Sequence, residues 1–195
     1  MNITIVGATG NVGRKIIEVL EKKNFPADNL YLVASSKSAG SKLRFKEKEI
    51  EVENLETFDF SKSKITFFSA GSKISEKYAT KAAEHSTVID NSSYFRMDPN
   101  VPLIVPEVNP KDLKDYKKKN IIANANCSVI PLVVALKPLH DLYNIKRIVA
   151  STYQSVSGAG KAPMDELLSQ TKDFFEGKEL NSKFFTKQIA FNAIP

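Results

Sequence analysis

The feature that most constrains the fold is a glycine-rich turn between an apolar strand pattern and a helical pattern. The residues Gly7-Ala8-Thr9-Gly10-Asn11-Val12-Gly13 directly follow the apolar run at positions 3–6. Glycines permit a tight turn and a close approach of the backbone to a pyrophosphate, and the N–H groups of a helix start attract anions. This order is typical of a dinucleotide-binding α/β domain. The spacing is GxxGxxG rather than GxGxxG, and a plain tight turn remains the alternative.

Apolar runs alternate with helical patterns over most of the chain, which predicts βαβ units around a doubly wound parallel sheet. Residues 42–60 alternate apolar and charged side chains, which predicts a short antiparallel excursion. The predicted strands are residues 2–6, 30–34, 65–69, 87–91, 103–105 and 121–125. One predicted helical face carries Val12, Ile16, Ile17, Val19 and Leu20, and a second carries Ile74, Tyr78, Ala82 and Ala83.

The pattern changes in the last third of the chain. A β-rich stretch at residues 145–153 is followed by a helical pattern from about residue 163 to residue 175. We therefore predict a Rossmann-type dinucleotide-binding domain at residues 1–126 and the first part of a second, α+β domain at residues 127–195. One strand, one helix and a loop-rich tail cannot close a sheet, so we expect the chain to be a fragment or to be completed by another chain.

Composition and charge exclude several classes of protein. The chain has 195 residues, 42% of them hydrophobic, which is enough for one core and part of a second. Its net charge of +6 comes mainly from scattered lysines, and the densest run, Lys117-Lys118-Lys119, lacks the arginines and aromatics of nucleic-acid surfaces. No apolar run approaches the ~20 residues of a membrane span, and the N-terminus lacks a signal-peptide pattern. We expect a cytoplasmic protein that binds neither nucleic acid nor membrane.

The chain has one cysteine, Cys127, in the sequence Asn124-Ala125-Asn126-Cys127-Ser128. It follows a predicted strand and precedes a predicted helix at residues 128–142, so its thiol should lie at the amino end of that helix. The helix dipole there favours the thiolate, which is the reactive form. A buried, inert cysteine is the alternative, and the residues alone do not decide between the two.

A polar loop follows the second predicted strand. NAD-binding proteins usually place an acidic residue there, whereas this chain has Ser35-Ser36-Lys37-Ser38. Hydroxyls and a lysine can hold a 2′-phosphate that a carboxylate would repel, which favours NADP over NAD. A loop that contacts no ligand is the alternative.

Two further side chains are candidates for substrate binding. Arg96, just past a predicted strand end, could bind a phosphate or carboxylate with its planar guanidinium, or pair with Asp98 on the surface. Gln154 could orient a substrate carbonyl, or lie in a capped turn before two nearby glycines. The two histidines, His85 and His140, are interpreted as structural, and no cluster has metal-ligand spacing.

Seven sequence blocks, in this order, resemble those of the aspartate-β-semialdehyde dehydrogenase family, and together they cover essentially the whole chain. The blocks are Val6-Gly7-Ala8-Thr9-Gly10-Asn11-Val12-Gly13, Ala34-Ser35-Ser36-Lys37-Ser38-Ala39-Gly40, Phe68-Ser69-Ala70-Gly71, Asp90-Asn91-Ser92-Ser93-Tyr94-Phe95-Arg96, Val105-Pro106-Glu107-Val108-Asn109, Asn124-Ala125-Asn126-Cys127-Ser128 and Tyr153-Gln154-Ser155-Val156-Ser157-Gly158-Ala159-Gly160. Seven ordered blocks are far more specific than one glycine loop, so the resemblance identifies Cys127 as catalytic.

The resemblance implies a reductase that converts L-aspartyl 4-phosphate to L-aspartate 4-semialdehyde with NADPH and releases phosphate, on the route to lysine, methionine and threonine. Cys127 would displace the phosphate and form an acyl thioester, as in other covalent catalysis. Arg96 would bind the phosphate and Gln154 would position the substrate. The cofactor would be held by Thr9, Gly10, Asn11 and Val12 at the pyrophosphate, Lys37 and Ser38 at the 2′-phosphate, and Ser157 and Gly158 at the nicotinamide.

The resemblance also implies that part of the site lies elsewhere. The family's acid/base histidine, its substrate-carboxylate arginine, a further phosphate-binding lysine and its dimer contacts would follow Pro195. We therefore expect a homodimer or homotetramer at full length, and little or no activity from these 195 residues alone. The alternatives are N-acetyl-γ-glutamyl-phosphate reductase, which shares the fold and the thioester chemistry, and a truncated, non-catalytic NADP-binding paralogue.

Overall fold

Eight strands form one sheet in the computed structural model, which describes residues 1–194. The strands are β1 (Asn2–Val6), β2 (Asn29–Ala34), β3 (Lys42–Phe45), β4 (Lys48–Asn54), β5 (Ile65–Phe68), β6 (Thr87–Asp90), β7 (Leu103–Ile104) and β8 (Ile121–Asn124). Their order across the sheet is β3-β4-β2-β1-β5-β6-β8-β7. Every neighbouring pair is parallel except β3 and β4, which form an antiparallel hairpin.

The described residues form four α-helices. They are α1 (Asn11–Lys22), α2 (Ser72–Ala83), α3 (Val129–Tyr143) and α4 (Lys161–Phe175), with 3₁₀ turns at Phe60–Lys62, Pro110–Lys118 and Val156–Ala159. None of the helices in the described residues is both long and apolar enough to cross a membrane. The chain forms two compact units, the first Met1–Lys146 and the second beginning at Arg147. The first compact unit includes α3 and so extends beyond residue 126. The domain boundary expected at residue 126 stays a prediction.

The strand order places a switch point next to β1. The chain runs from β1 to its parallel neighbour β2 on one side, and later returns to β5 on the other side. In open α/β sheets, ligands bind at the carboxyl edge where the order reverses in this way. The predicted doubly wound parallel sheet is thus confirmed, and the predicted antiparallel excursion is the β3–β4 hairpin.

The core lies on both faces of the central strands, as expected for parallel strands covered on both sides. On one face, Ile3 and Ile5 of β1 pack in a buried cluster with Ile17 and Leu20 of α1. On the other face, Val6 belongs to a second cluster. That cluster also contains Val33, Leu55, Phe58, Phe60, Phe68, Ala79, Ala82, Ala83, Val88, Phe95, Val101, Ile121 and Ala123.

Each of the six strands predicted between residues 2 and 125 was found within one residue of its expected ends, but the predicted face of α1 is partly wrong. Val12 and Val19 are 50% and 45% exposed, and the buried side of α1 is Gly13, Ile17 and Leu20. These three positions follow the helical period, whereas Val12 and Val19 each lie one position away from that stripe.

The strand expected at residues 145–153 is absent, and this prediction is wrong. The chain there has no regular structure, and Val149 and Tyr153 are 79% and 92% exposed. A strand requires a hydrogen-bonded neighbour, and no segment among residues 1–194 pairs with this stretch. Its β-rich composition alone could not supply that neighbour.

Within the second unit, Glu166 and Gln170 of α4 fix the chain that follows the helix. Glu166 is 8% exposed, and its Oε2 accepts bonds from the backbone N–H groups of Lys183 and Phe184, both at 2.9 Å. Gln170 is 1% exposed, and its Oε1 accepts from the backbone N–H groups of Ile189 (2.9 Å) and Ala190 (3.1 Å). These buried side chains thus satisfy their hydrogen-bonding groups with the backbone of the returning segment.

We expect Glu166→Gln to loosen the segment that contains Lys183 and Phe184. The other oxygen of Glu166, Oε1, accepts from Gln170, so a glutamine, with only one oxygen, cannot satisfy both sides. Losing buried bonds of this kind costs about 1–3 kcal/mol, so the hydrogen-exchange protection of these two amides should fall roughly tenfold or more. The exposed Glu179→Gln is the control, and unchanged protection in Glu166→Gln would contradict the assignment.

Candidate functional site

The loops at the carboxyl ends of β1, β2, β5, β6 and β8 meet at one edge of the sheet because these strands are parallel. The glycine turn follows β1, the serine-rich turn follows β2, Arg96 lies beyond β6, and Cys127 lies beyond β8. The fold therefore brings four of the predicted groups of site residues to the edge where the topology places a ligand.

The glycine turn is built so that two of its positions exclude any side chain. Gly7 has a φ of +84°, and a Cβ there would lie 2.9 Å from the backbone carbon of Ser69. A Cβ on Gly13 would lie 2.2 Å from the carbonyl oxygen of Gly7. These glycines let α1 and the loop after β5 approach the turn closely, which leaves a backbone cradle at the start of α1.

Thr9, Gly10, Asn11 and Val12 line this cradle at the amino end of α1. The N-terminal cap is Gly10, which offers no side-chain hydrogen bond to the helix. The Nε of Arg14 donates to the carbonyl oxygen of Thr9 at 3.1 Å and so fixes the turn from the helix side. A helix start of this form attracts a pyrophosphate through its backbone N–H groups and its dipole.

The turn after β2 presents a cation at the same edge. The backbone N–H of Ser38 donates to the carbonyl of Ser35 at 2.9 Å, and the Ser41 hydroxyl donates to the carbonyl of Ser38 at 2.6 Å. Lys37 is exposed on this turn and forms no ion pair with any of residues 1–194. Its charge therefore stays available to an anionic ligand.

Arg96 is held by backbone carbonyls at the ends of two neighbouring strands. Its Nε donates to the carbonyl of Asn124 at 2.9 Å, and its Nη2 donates to the carbonyl of Asn91 at 3.2 Å. A guanidinium carries five N–H donors, so these two bonds leave three. Within residues 1–194, no carboxylate forms an ion pair with Arg96. A fixed guanidinium without a carboxylate partner is suited to bind an anion.

The surface pairing of Arg96 with Asp98 that the sequence left open is wrong. Asp98 instead pairs with Lys119, at 2.6 Å between Oδ2 and Nζ. The hydrogen bond from Lys119 and the backbone N–H of Asn100 lower the pKa of the Asp98 carboxyl below its ordinary value. Asp98 therefore stabilises the turn that follows the site and does not neutralise Arg96.

The segment that carries Arg96 is anchored by a buried carboxylate. Asp90 is fully buried at the end of β6, where it accepts bonds from the hydroxyls of Ser75 and Ser92, both at 2.7 Å. At the other end of this segment, Phe95 is packed in the core with 4% exposure. The turn between these two anchors is thus held by α2 on one side and by the core on the other.

Cys127 is exposed, so the alternative of a buried cysteine is wrong, and the catalytic role of its thiol stays a prediction. It lies between the end of β8 and the start of α3, as predicted. The carbonyl of Asn126 accepts from the N–H groups of Val129 (3.0 Å) and Ile130 (3.1 Å), and its side-chain Oδ1 accepts from the Ser128 N–H at 2.9 Å. Asn126 therefore fixes the turn before α3, whose N-cap is Ser128, and holds Cys127 just before the amino end of that helix.

The remaining candidates lie in the second unit. Gln154 belongs to the irregular stretch before the 3₁₀ turn at Val156–Ala159. Ser155 caps this turn by accepting a bond from the N–H of Ser157 at 3.3 Å. Gly158 has open space around the position of a Cβ, and Gly160 has a φ of +102°, which favours glycine. Ser157 and Gly158 are thus presented on an exposed, capped turn.

Both histidines lie within or directly after a helix. His85 follows the last turn of α2, and His140 lies within α3, where its carbonyl accepts the N–H of Asn144 at 2.8 Å. In the described part of the chain, no three His, Cys, Asp or Glu side chains are placed to hold a metal ion.

Two family models match this chain. The NAD binding domain of semialdehyde dehydrogenases matches residues 2–116, and the dimerisation domain of semialdehyde dehydrogenases matches residues 136–195. The chain belongs to the semialdehyde dehydrogenase family.

Relatives of this semialdehyde dehydrogenase chain agree with that assignment. The aspartate-semialdehyde dehydrogenase of Shewanella violacea is 49% identical over all of this chain and 58% of its own length. The crystal structure of aspartate semialdehyde dehydrogenase II from Vibrio cholerae, complexed with ASA, superposes with a TM-score of 0.94 at 50% identity, covering 98% of this chain and 57% of the other. The Candida albicans enzyme, solved with NADP, gives a TM-score of 0.60 at 28% identity over 74% of this chain and 48% of its own. This chain thus spans between 48% and 58% of the length of these three relatives.

Sequence reasoning missed several polar residues that shape the site of this semialdehyde dehydrogenase chain. Asp90, Asn91, Asn124 and Asn126 all lie at or within two residues of a strand end, and each bonds to a segment that carries a predicted site residue. The available signal was the position of asparagine and aspartate after parallel strands, where short polar side chains replace the ended ladder.

Proposed function

We propose that this chain carries the cofactor-binding part and the nucleophile of an aspartate-semialdehyde dehydrogenase that reduces L-aspartyl 4-phosphate to L-aspartate 4-semialdehyde and releases phosphate. The proposal rests on one observation above the others. Asn124, at the end of β8, binds Arg96 through its carbonyl, and Arg96 has no carboxylate partner among residues 1–194. The exposed Cys127 lies three residues further along the chain, just before α3. A nucleophile beside a fixed cation suits attack on an acyl phosphate.

The thiolate of Cys127 attacks the acyl carbon of the substrate. A carbon–sulfur bond forms, the carbon–oxygen bond to phosphate breaks, and phosphate leaves with the electron pair. Arg96 stabilises the charge that develops on the leaving phosphate. Gln154 positions the substrate carbonyl.

The residues of the first unit fit an NADP molecule. Thr9, Gly10, Asn11 and Val12 would hold the pyrophosphate at the amino end of α1, beside the tight turn that Gly7 and Gly13 permit. Lys37 and Ser38 would hold the 2′-phosphate. When bound, NADPH supplies the hydride that converts the thioester to the aldehyde. The Candida albicans relative solved with NADP supports this choice.

The proposal extends to the cellular compartment and the oligomeric state of the enzyme. We propose a cytoplasmic enzyme, because its nucleophile must stay a reduced thiol, and a homodimer or homotetramer, which the match to the dimerisation domain supports. Its product would supply lysine, methionine and threonine synthesis.

We expect Cys127→Ser to lower turnover roughly 1,000-fold or more, since a hydroxyl is a far weaker nucleophile than a thiolate, without weakening NADPH binding. The assay uses a chimera in which the remaining length of the relatives is taken from the Vibrio cholerae protein. L-Aspartyl 4-phosphate and N-acetyl-γ-glutamyl phosphate are compared as substrates. Retained turnover in Cys127→Ser, or a preference for the second substrate, would contradict the proposal.

We expect Lys37→Glu to weaken NADPH binding about 10- to 100-fold and to affect NADH much less, because only NADPH carries the 2′-phosphate. Cofactor fluorescence titrations on this chain measure both affinities. Lys48→Glu is the matched control, since it makes the same charge change at the start of β4, away from the carboxyl edge. An equal loss for both cofactors would show that Lys37 does not contact the 2′-phosphate.

A further inference from the structure

Two asparagine side chains bridge β6 and β8 where their backbone pairing ends. The parallel register between these strands ends at Asp90 and Ala123, and the next position on each strand is Asn91 and Asn124. There the Nδ2 of Asn124 donates to the Oδ1 of Asn91 at 2.7 Å. The side-chain amides thus continue the connection between the strands for one more position.

The same two residues hold Arg96 through their main chains. Their carbonyls accept the Nε and Nη2 of Arg96, at 2.9 Å for Asn124 and 3.2 Å for Asn91. The hydrogen bond between the two side-chain amides and the two hydrogen bonds of the guanidinium form a closed ring of three residues, all of them half-buried. Because the guanidinium bridges the two carbonyls, any change in the separation of the strand ends breaks or tilts one of its bonds.

We propose that Asn91 and Asn124 are positioning residues that set Arg96 relative to Cys127. This inference rests on the proposed function, in which Arg96 receives the leaving phosphate. Asn124 lies three residues before Cys127, so at most about 10 Å of extended backbone separates the arginine's anchor from the nucleophile. The hydrogen bond between the asparagine side chains fixes β8, which carries the carbonyl of Asn124 and leads to Cys127. The two backbone carbonyls fix the orientation of the guanidinium.

Oriented donors stabilise a developing charge better than mobile ones, because they need no reorganisation during the reaction. Three N–H donors of Arg96 remain after its two carbonyl bonds, and their direction is set by the ring. A lysine, with a single mobile ammonium, could not bridge two carbonyls and still present a planar fork. The ring therefore accounts for an arginine at this position and for an asparagine on each strand end.

The test measures how fast Cys127, the only cysteine of the chain, is alkylated, and it needs no catalytic turnover. Rates of alkylation are measured at low ionic strength with anionic iodoacetate and with neutral iodoacetamide. The ratio of the two rates reports the positive potential at the thiol, and the iodoacetamide rate reports its general reactivity. The Coulomb interaction of two unit charges about 10 Å apart corresponds to a roughly two- to fivefold change in this ratio.

We expect Asn124→Leu and Asn91→Leu to lower this ratio about two- to fivefold and to leave the iodoacetamide rate within about twofold of the wild type. The double variant should lower the ratio little more than either single variant, because both substitutions remove the same hydrogen bond. Added inorganic phosphate should lower the wild-type ratio to the value of the variants. Asn124→Ala provides a second, smaller substitution in case leucine perturbs folding.

The matched control is Asn29→Leu. It removes a similar amide bond, from Asn29 Nδ2 to Asn2 Oδ1 at 3.0 Å, at the opposite end of the sheet, and should leave the ratio unchanged. Arg96→Met tests the anion-binding role of Arg96 separately from the positioning role of the two asparagines. If Arg96→Met lowers the ratio and neither Asn124 variant does, the positioning role is wrong and the role of Arg96 survives. If Arg96→Met leaves the ratio unchanged, the anion-binding role of Arg96 fails and the positioning role falls with it.

Discussion

The parallel pairing of β1 with both β2 and β5 is the interaction on which the rest of the structure depends. It buries β1 between two core clusters and reverses the strand order beside it. Because every strand but β3 then runs in the same direction, the glycine turn, the Lys37 turn, Arg96 and Cys127 all reach one edge of the sheet. The chemistry of the site is thus a consequence of the topology, and the site residues themselves contribute little to the core.

Electrostatics decides which charges at this edge can act on a ligand. Asp98 is engaged by Lys119, and Asp90 is buried against serine hydroxyls. Arg96 and Lys37 have no carboxylate partner among residues 1–194. The carboxylates nearest in sequence to Arg96 are therefore occupied, and the remaining positive charge can meet phosphate groups of a cofactor and of a substrate.

The sequence predicted what is local and missed what requires a partner. The strands and the glycine turn could be predicted because each depends on the period or conformation of adjacent residues, as at Gly7 and Gly13. The strand expected at residues 145–153 failed because strand formation depends on a distant neighbour. The bond between Asn91 and Asn124 joins residues 33 positions apart, and it follows only from the register of two strands. Likewise, the i,i+4 spacing of Glu166 and Gln170 does not reveal the segment that they bind.

In the proposed function, Cys127 forms an acyl-enzyme with an aspartyl group. This intermediate can be detected by mass spectrometry of the chimera after mixing with L-aspartyl 4-phosphate without a cofactor. We expect one aspartyl group on the peptide that contains Cys127, removed by hydroxylamine as expected for a thioester. An unmodified Cys127 peptide while phosphate is released, or an aspartyl group on another residue, would contradict it.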